Sequence, residues 1–486
     1  MIDRAESKLG VSRPVFCLFW LACAALAIGS ALPYAGSWND GSRLASIEAI
    51  VDHHTLAIDD SIFVNVPSDS LARGLAPYHD PGCLAHGTYD KLYIDGHYYS
   101  DKPAVISLLM ALLYQVWQWF GGPSAALRPD LFCRFLTWGT CGVAYLTTLV
   151  CLYRLCRRIN LTPRHSLLLC AAMAFGTVGL VYARHVNNHL LLLAVSAALM
   201  LNLIAFAQEN DAGVVPRRRL FLIGGLAGLG YALDLGLGPV LLLSLTAAIF
   251  WRSRSLRHVF LLGVGALPLL AAHHALNYAV GGTLKPMNMV PEYSMWDGCP
   301  FNPTNMTGFS RHSGGKLLVY ATSLLYGKQG LLGYNLPLLL ALVGGVFAWR
   351  KLRGSRPEIA FALLWMGGGW LMYAALSHNY GGVCCSIRWF VPFLAPGFYL
   401  IALLIRERPT YAWDLAILSA WGALLTALLW ERGPWSNRML VVYWPIQAAA
   451  LTSWFACRRW RHSVEQSETT VSAFAREAQT TASRAA

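Results

Sequence analysis

Long apolar runs alternate along this chain with short polar or basic stretches. Most of the runs are about 17–25 residues long, which is the length that an α-helix needs to cross the hydrocarbon core of a bilayer. The pattern therefore predicts an all-α polytopic membrane protein with about twelve transmembrane helices. The predicted crossings cover approximately residues 14–34, 131–153, 165–182, 189–207, 219–233, 237–251, 256–272, 330–349, 357–376, 388–405, 411–430 and 439–456.

One more apolar run, residues 104–120, is predicted not to cross. It contains two glutamines and two tryptophans near its end, a composition typical of a helix that lies in the membrane interface. If it crossed, the four arginines between residues 154 and 165 would face the outside, against the tendency of basic loops to stay in the cytoplasm. We assign this run, with an amphipathic segment that follows Arg43, to a large first extracytoplasmic loop over residues 35–130.

The overall composition is that of a membrane protein without a separate soluble domain. Of the 486 residues, 56% are hydrophobic and only 13% are charged, and the mean hydropathy is +0.45. The formal net charge of +13 does not indicate a nucleic-acid partner, because most lysines and arginines fall in short loops between apolar runs. We expect one integral membrane domain over residues 1–461 and a disordered cytoplasmic tail over residues 462–486.

The basic residues also predict the orientation of the chain. Arg4, Lys8 and Arg13 precede the first crossing and place the N-terminus in the cytoplasm. An even number of crossings returns the C-terminus to the same side. The polar stretches that then face the extracytoplasmic side are residues 35–130, 273–329 and 377–388.

The cysteines give no sign of a metal site. None of the 12 has the spacing of a metal ligand set, and most lie inside apolar runs, where cysteine behaves as a small hydrophobic residue. Cys83 and Cys299 fall in two polar stretches and could form a disulfide if these face an oxidising compartment. The chain also has no nucleotide-binding motif. We therefore expect neither a metal nor another cofactor.

Two charged residues follow the first predicted crossing, in the stretch SWNDGSRL. One interpretation of Asp40 is a helix N-cap, a position that aspartate favours. A capping box is not expected, because the third residue after Asp40 is Arg43 rather than Glu or Gln. The alternative interpretation is a functional role, because charges at a membrane edge are costly to keep.

The stretch YIDGHYYSDKPAV, residues 93–105, holds a second set of candidates. Pro103 suits the first turn of the helix that follows, which places Lys102 at a helix N-terminus. The helix dipole disfavours a cation there unless an anion also binds. Lys102 is therefore a candidate phosphate ligand, and Tyr98 is a further candidate for substrate binding. The alternative for Lys102 is an amine that reaches the lipid headgroups.

Three more candidates for substrate binding lie in later polar stretches. Arg388 begins a predicted crossing on the extracytoplasmic side, against the positive-inside trend, and His378 ends the preceding crossing. Arg388 would pair with a lipid phosphate or a carboxylate, and the alternative is an ordinary headgroup contact. Lys328 lies on the same side of another crossing. Together the candidates place several cations and an acid on one face, which suits an anionic lipid headgroup and a polar acceptor.

The order of these motifs resembles the polytopic glycosyltransferases of the C superfold, and most of all the family of protein O-mannosyltransferases and lipid A aminoarabinose transferases. That family has Asp-Glu-x-Arg after its first crossing. The stretch NDGSRLASIEAIV is similar through Asp40 and Arg43, while Gly41 stands in place of the second acid. The family's Lys-Pro motif, which opens a second amphipathic helix, is matched by Lys102 and Pro103.

A third similarity lies near the end of the chain. GGVCCSIRWFVPFLAP looks like a late Arg-x-x-x-Pro stretch of related bacterial membrane proteins, through Arg388 and Pro392. The resemblance is fairly specific over residues 35–130 and weak elsewhere. It also agrees with the interfacial placement of residues 104–120, which the distribution of charge predicts independently.

The resemblance implies a reaction and a location. A sugar would pass from a polyprenyl-phosphate donor to a hydroxyl of a lipid, polysaccharide or protein, with inversion, at the extracytoplasmic face of a bacterial inner membrane. Asp40 would be the general base and Lys102 would contact the donor's phosphate. Arg388 and Lys328 would stabilise the leaving phosphate, and Arg43 would keep Asp40 ionised.

Two other classes of protein stay open from the sequence. A transporter or flippase of a lipid-linked anion would explain the membrane body and the cations, but transporters tend to keep their polar groups near the middle of the membrane. A non-catalytic membrane subunit is compatible with Gly41 in place of the second acid. The concentration of polar candidates at one face, beside a large loop, favours the transferase.

Overall fold

Helices make up most of the chain in the computed structural model, which describes residues 11–214, 217–306, 310–461 and 463. The tail predicted to be disordered, 462–486, therefore lies outside the described residues apart from residue 463. In chain order the α-helices are α1 (Arg13–Ser30), α2 (Trp38–Asp52), α3 (Pro81–His86), α4 (Ala104–Trp119), α5 (Pro129–Arg158), α6 (Pro163–Phe175), α7 (Gly179–Tyr182), α8 (Asn188–Asp211), α9 (Arg217–Leu233), α10 (Leu237–Ser253), α11 (Leu256–Gly281), α12 (Gly314–Leu325), α13 (Leu331–Tyr334), α14 (Leu339–Lys351), α15 (Arg356–Leu376), α16 (Leu394–Glu407), α17 (Tyr411–Arg432) and α18 (443–461). Helix α5 contains a π-helical turn, and the 3₁₀ turns are Met287–Met289, Pro291–Ser294, Leu336–Leu338, Arg353–Ser355 and Arg388–Phe393.

Seven helices in the described part of the chain are long and apolar enough to cross a membrane. They are α1, α5, α8, α11 and α17, together with α15 and α16 when each is counted with the 3₁₀ turn before it. The chain is thus a polytopic membrane protein, whereas the predicted number of about twelve crossings is not confirmed. Most of the other predicted crossings form shorter or interrupted helices, such as α9 and α10 with 17 residues each.

A β-hairpin in the loop 35–130 departs from the predicted all-α fold. Its two antiparallel strands are β1 (Lys91–Ile94) and β2 (His97–Ser100). Asp95 and Gly96 form the connecting turn, and both have positive φ, 50° and 90°, as the tight turns of twisted hairpins require. Because the strands pair in register, the residues just outside the open end, Asp90 and Asp101, lie next to each other.

Helices α2 and α4 pack against each other within the same loop. The Tyr114 hydroxyl of α4 donates a hydrogen bond to the Asp52 carboxylate of α2 at 2.8 Å, and the Gln118 amide donates to it as well. The opposite face of α4 exposes an apolar stripe that consists of Leu109, Leu112, Val116 and Trp119. One face of this 16-residue helix makes polar contacts with α2 and the opposite face exposes an apolar stripe, which is the character of an interfacial helix.

Small residues bring α9 and α11 into backbone contact. A Cβ atom at Gly224 would lie 2.2 Å from the carbonyl oxygen of Leu262, and one at Gly228 would lie 2.6 Å from that of Ala266. Gly224 and Gly228 are four residues apart and therefore lie on the same face of α9. Membrane helices use this spacing of small residues to approach each other closely.

Replacing Gly224 with Ala should force α9 and α11 apart. Overpacking of this kind costs about 1–3 kcal/mol, so Gly224→Ala should lower the unfolding temperature of the purified chain, measured by scanning fluorimetry in one detergent. Gly263→Ala on α11 is the matched control, because nothing lies within 4 Å of its added Cβ. Equal unfolding temperatures for the two variants would contradict this packing.

Glu48 attaches α2 to the segment that follows it. Its buried carboxyl accepts hydrogen bonds from Ser61 Oγ at 2.5 Å and from the Ile62 N–H at 3.2 Å. Burial raises the pKa of Glu48 to about 8, and the nearby Asp52 acts in the same direction. Because this pKa lies above the ordinary value of 4.5, the stabilisation by the neutral acid is complete below about pH 4.5 and is lost as the pH rises through about 8.

Glu48→Gln should therefore change how stability depends on pH. Glutamine keeps the shape and the acceptor oxygen but cannot ionise, so the variant should lose less stability than the wild type between about pH 5 and about pH 8. The measurement is the unfolding temperature at several pH values, with the exposed Glu292→Gln as control. Parallel curves for Glu48→Gln and the wild type would show that Glu48 is ionised throughout.

Candidate active site

Asp40 closes the N-terminus of α2. Ser37 is the N-cap residue, and the Asp40 carboxylate accepts hydrogen bonds from the backbone N–H groups of Gly36 at 2.7 Å and Ser37 at 2.8 Å, and from the Ser37 hydroxyl at 2.8 Å. This is a capping box with Asp40 in the position usually held by Glu or Gln. The expectation that no capping box forms was wrong, because the helix begins before Asp40 rather than after it.

His185, in the connection between α7 and α8, contacts the same carboxylate. Its Nδ1 lies 3.1 Å from Asp40 Oδ2, and both side chains are buried. Arg43, which was expected to keep Asp40 ionised, donates instead from Nη2 to Asn188 Oδ1 at 2.9 Å. In this conformation Asp40 is 0% exposed and attaches the start of α2 to the membrane helices.

Tyr78 fills the space that a second acid would need beside Asp40. A Cβ atom added at Gly41 would lie 2.1 Å from the Tyr78 hydroxyl oxygen. That hydroxyl is buried and donates to the carbonyl oxygen of Phe63 at 2.7 Å. Gly41 is therefore a packing requirement of this chain, and the absence of a second acid follows from the position of Tyr78.

Lys102 lies between two carboxylates at the open end of the hairpin. Its Nζ is 2.7 Å from Asp90 Oδ2 and 2.7 Å from Asp101 Oδ2. Ser42 of α2 donates to Asp101 Oδ1 at 3.2 Å, which attaches the hairpin to α2. The predicted phosphate ligand is thus held by acids on two sides and has little freedom to move.

The side chain of Asn39 lies between Lys102 and Arg388. When the Asn39 amide is assigned with its oxygen toward the cations, that oxygen accepts from Lys102 Nζ at 3.2 Å and from Arg388 Nη1 at 3.3 Å. The Arg388 guanidinium also lies 5.8 Å from the centroid of the Trp435 ring. Two cations from distant parts of the chain therefore converge on a single oxygen atom.

Arg43 and His189 lie beside these two cations. Both are buried, and Arg43 is near enough to Asp101 and Arg388 to interact with their charges. His189, at the start of α8, is close to Arg388, Arg43 and Lys102. We call Arg43, Lys102, Arg388, Asp90 and Asp101 the cation cluster.

The two acids of the cation cluster differ in their affinity for protons. Burial raises the pKa of Asp101, with Lys102 opposing this and the charge of Asp90 adding to it. Burial acts in the same way on Asp90, but Lys102, Arg388 and Arg43 together outweigh it and hold the pKa of Asp90 below its ordinary value. Asp101 is therefore the better proton acceptor of the two.

Several buried polar atoms in and beside the cation cluster have no hydrogen-bond partner within the described ranges. Arg43 Nε and Arg388 Nε make no hydrogen bond, and neither ring nitrogen of His189 makes one. Leaving buried charged donors unpaired costs free energy. A phosphate group offers acceptor oxygens to both guanidinium groups and to Lys102 at once. The arrangement therefore suits a bound phosphate.

Three of the predicted substrate-binding residues lie apart from the cation cluster. Lys328 is exposed, and its carbonyl oxygen accepts from the Tyr334 hydroxyl at 2.7 Å. The ring of His378 packs edge-on at 6.3 Å from the ring of His312. Tyr98, on β2, lines a separate cavity. Of the predicted set, the structure brings together Arg43, Lys102 and Arg388.

The structure also bears on disulfides and metals. Cys83 and Cys299 are both free thiols, so the disulfide that the sequence left open does not form here. Over the residues that the structure describes, no group of three or more His, Cys, Asp or Glu side chains is arranged to hold a metal ion.

The sequence did not single out four members of this region. Asp101 directly precedes Lys102. An acid next to a lysine at a helix start is a sequence signal for a neutralising partner, because the helix dipole disfavours a cation there. Asp90 has no local signal, because only the hairpin brings it to Lys102. His185 and His189 lie in a polar run at the start of an apolar helix, where buried polar side chains often mark a site.

The fold of this chain, a helical membrane body with a large first loop, matches that of a solved membrane protein. The crystal structure of ArnT from Cupriavidus metallidurans, bound to undecaprenyl phosphate, has this fold. The similarity covers 92% of this chain and 76% of ArnT, with a TM-score of 0.52 and 12% sequence identity. The fold that the sequence resemblance implied is confirmed.

The oligosaccharyltransferase of Archaeoglobus fulgidus in its apo form is also similar, with a TM-score of 0.49 and 11% identity over 87% of this chain. This chain spans 56% of the length of that archaeal protein. No protein-family model and no curated protein sequence matches this chain.

Replacing Asp40 with Ala should loosen the start of α2. The loss of a helix cap typically costs about 0.5–2 kcal/mol, so the unfolding temperature should fall and backbone amides near Gly36 and Ser37 should exchange faster. The exposed Asp69→Ala, in the same loop, is the control. Unchanged exchange at these amides in Asp40→Ala would show that the capping box does not hold the helix.

Proposed function

We propose that this chain is a membrane glycosyltransferase that moves a sugar from a polyprenyl-phosphate donor to a hydroxyl of a lipid, polysaccharide or protein acceptor. The fold that it shares with ArnT supports this kind of reaction, and ArnT binds undecaprenyl phosphate in its crystal structure. The active site would face the extracytoplasmic side of a bacterial inner membrane, and both termini would be cytoplasmic.

The convergence of Lys102 and Arg388 on the oxygen of Asn39 is the observation that carries this proposal. With Arg43 nearby, three cations repel one another in a buried site, and two carboxylates offset only part of their charge. A phosphate would supply further negative charge and would accept hydrogen bonds from the unpaired Nε atoms of both arginines. As the sugar–phosphate bond breaks, the cations would stabilise the negative charge that grows on the phosphate.

Two carboxylates are candidates for the general base. Asp40 is the base that the sequence resemblance implies, but in this conformation it caps α2 and its surface is covered. Asp101 lies beside Lys102 with 24% of its side chain exposed, and its pKa is raised by burial. We place the base at Asp101, which would take the proton of the acceptor hydroxyl while Lys102 holds the phosphate. A single displacement would invert the anomeric centre.

Lys328 and His378 stay proposed contacts to the donor. No contact between either residue and the cation cluster is seen among the described residues.

Sugar transfer in proteoliposomes tests the proposal with a panel of radiolabelled polyprenyl-phosphate sugars. Asp101→Asn should bind the donor but transfer the sugar about 10²–10⁴-fold more slowly, the usual contribution of a positioned base. Lys102→Ala and Arg388→Ala should weaken donor binding. Lys285→Ala, which alters an exposed lysine of another loop, is the matched control and should behave as the wild type.

Asp40→Asn separates the two candidate bases in the same assay. If Asp40 acts as a cap, the variant should lose less than about tenfold in rate and should unfold at a lower temperature. A rate loss as large as that expected for Asp101→Asn, with Asp101→Asn fully active, would move the base to Asp40. If the wild type consumed no donor but carried it across the bilayer, a transporter would replace the transferase.

A further inference from the structure

A second site for a ligand lies in the loop 35–130, next to the cation cluster but separate from it. It is a cavity of about 480 Å³, a size typical of sites for small ligands. Asn65 and His86 are exposed where the cavity opens to solvent. The polar and aromatic residues that line it are Asp59, Asn65, His86, Lys91 and Tyr98.

Lys91 is the residue that points to a ligand. It is only 8% exposed, and its ammonium has neither a hydrogen bond nor an ion pair with any residue that the structure describes. The Nζ atom lies 4.4 Å from the centroid of the Tyr98 ring and 5.1 Å from that of Trp296. These rings stabilise the positive charge, but they provide no oxygen or nitrogen acceptor for the N–H groups of the ammonium. Burial lowers the pKa of Lys91, although the charge of Asp59 acts in the opposite direction.

The lining of the cavity indicates the chemistry of the ligand. One cation, Lys91, and one carboxylate, Asp59, contribute opposite charges, so the cavity as a whole does not select a strongly charged group such as a phosphate. Ammonium, carboxylate, amide and imidazole groups together offer both donors and acceptors, which hydroxyl groups can satisfy in either role. The ring of Tyr98 adds apolar surface and packs edge-on against the ring of Trp296. A sugar has both properties, because its hydroxyls are polar and its C–H faces are apolar.

The hairpin relates this cavity to the cation cluster. Asp90 directly precedes β1 and Lys91 is its first residue, and successive side chains of extended backbone point to opposite sides. Asp90 reaches Lys102, whereas Lys91 lines the cavity. A ligand that occupies the cavity and also presents a hydroxyl to the cation cluster must therefore extend around the hairpin.

We infer that this cavity binds a sugar unit of the acceptor, and hence that the acceptor is a saccharide chain or the carbohydrate headgroup of a lipid. That the bound sugar belongs to the acceptor rests on the proposed function. The binding of a saccharide in the cavity does not depend on that function. Lys91 would donate to a sugar hydroxyl, and Tyr98 would pack against a C–H face.

Saturation-transfer NMR on the full chain in lipid nanodiscs tests the inference without any need for catalysis. The probes are methyl glycosides of glucose, galactose, mannose and N-acetylglucosamine, together with a short serine-containing peptide. At least one glycoside should receive saturation from the wild type, and Lys91→Met should weaken its binding at least about tenfold, the effect of one charged hydrogen bond. Lys285→Met, at an exposed lysine outside the cavity, should leave binding unchanged.

Ala85→Trp provides a second variant in case Lys91→Met does not fold. Ala85 is exposed and lines the cavity, so a tryptophan there should fill it and abolish glycoside binding without changing the buried core. Binding that is equal in the wild type and Ala85→Trp, the absence of binding by every glycoside, or binding of the peptide alone would each overturn the inference. Glycoside binding without donor consumption would leave the cavity standing and refute the proposed function. Donor consumption without glycoside binding would support the proposed function and refute the inference about the cavity.

Discussion

Repulsion among Arg43, Lys102 and Arg388 is the constraint on which the rest of the loop 35–130 depends. These cations come from α2, from the residue before Pro103 and from the 3₁₀ turn before α16, and each is largely withdrawn from water. Buried charges of one sign must be offset by nearby acids and hydrogen-bond acceptors. The hairpin meets this need, because its open end places Asp90 and Asp101 on either side of Lys102. The balance of charge thus gives a reason for a β-hairpin in an otherwise helical membrane protein.

The same constraint explains how firmly α2 is attached to the membrane helices. Asp40 contacts His185 just before α8, and Arg43 donates to Asn188 at its first turn. The Asn188 amide in turn donates to the carbonyl oxygen of Leu233 at 3.0 Å, at the end of α9. These links fix the guanidinium of Arg43 relative to the bundle before any ligand arrives. A site that is rigid in advance stabilises developing charge without the cost of rearranging its own dipoles.

The sequence predicts the helices far better than it predicts the site. Apolar runs of the right length locate the seven helices of the described residues that are long and apolar enough to cross a membrane, because burial in lipid leaves few other solutions for the backbone. Lys102 and Arg388 are found because each is a cation where cations are disfavoured. Asp90 could not be found in this way, since its role depends on the register of a hairpin. The capping box was missed for a different reason, because it requires knowing that Ser37 rather than Asp40 begins the helix.

The contact between Gly41 and the Tyr78 hydroxyl has a consequence for the history of the chain. The Tyr78 hydroxyl fills the space that a side chain at position 41 would need. An acid at position 41 therefore requires that Tyr78 is first replaced by a smaller residue. Loss of Tyr78 alone would remove one of the two hydrogen bonds to the carbonyl oxygen of Phe63, whose other donor is the Thr88 N–H at 2.9 Å. Each single step is therefore unfavourable, although the double replacement is chemically reasonable. Positions 41 and 78 are therefore coupled by an epistatic barrier between this chain and a form that carries an acid at position 41.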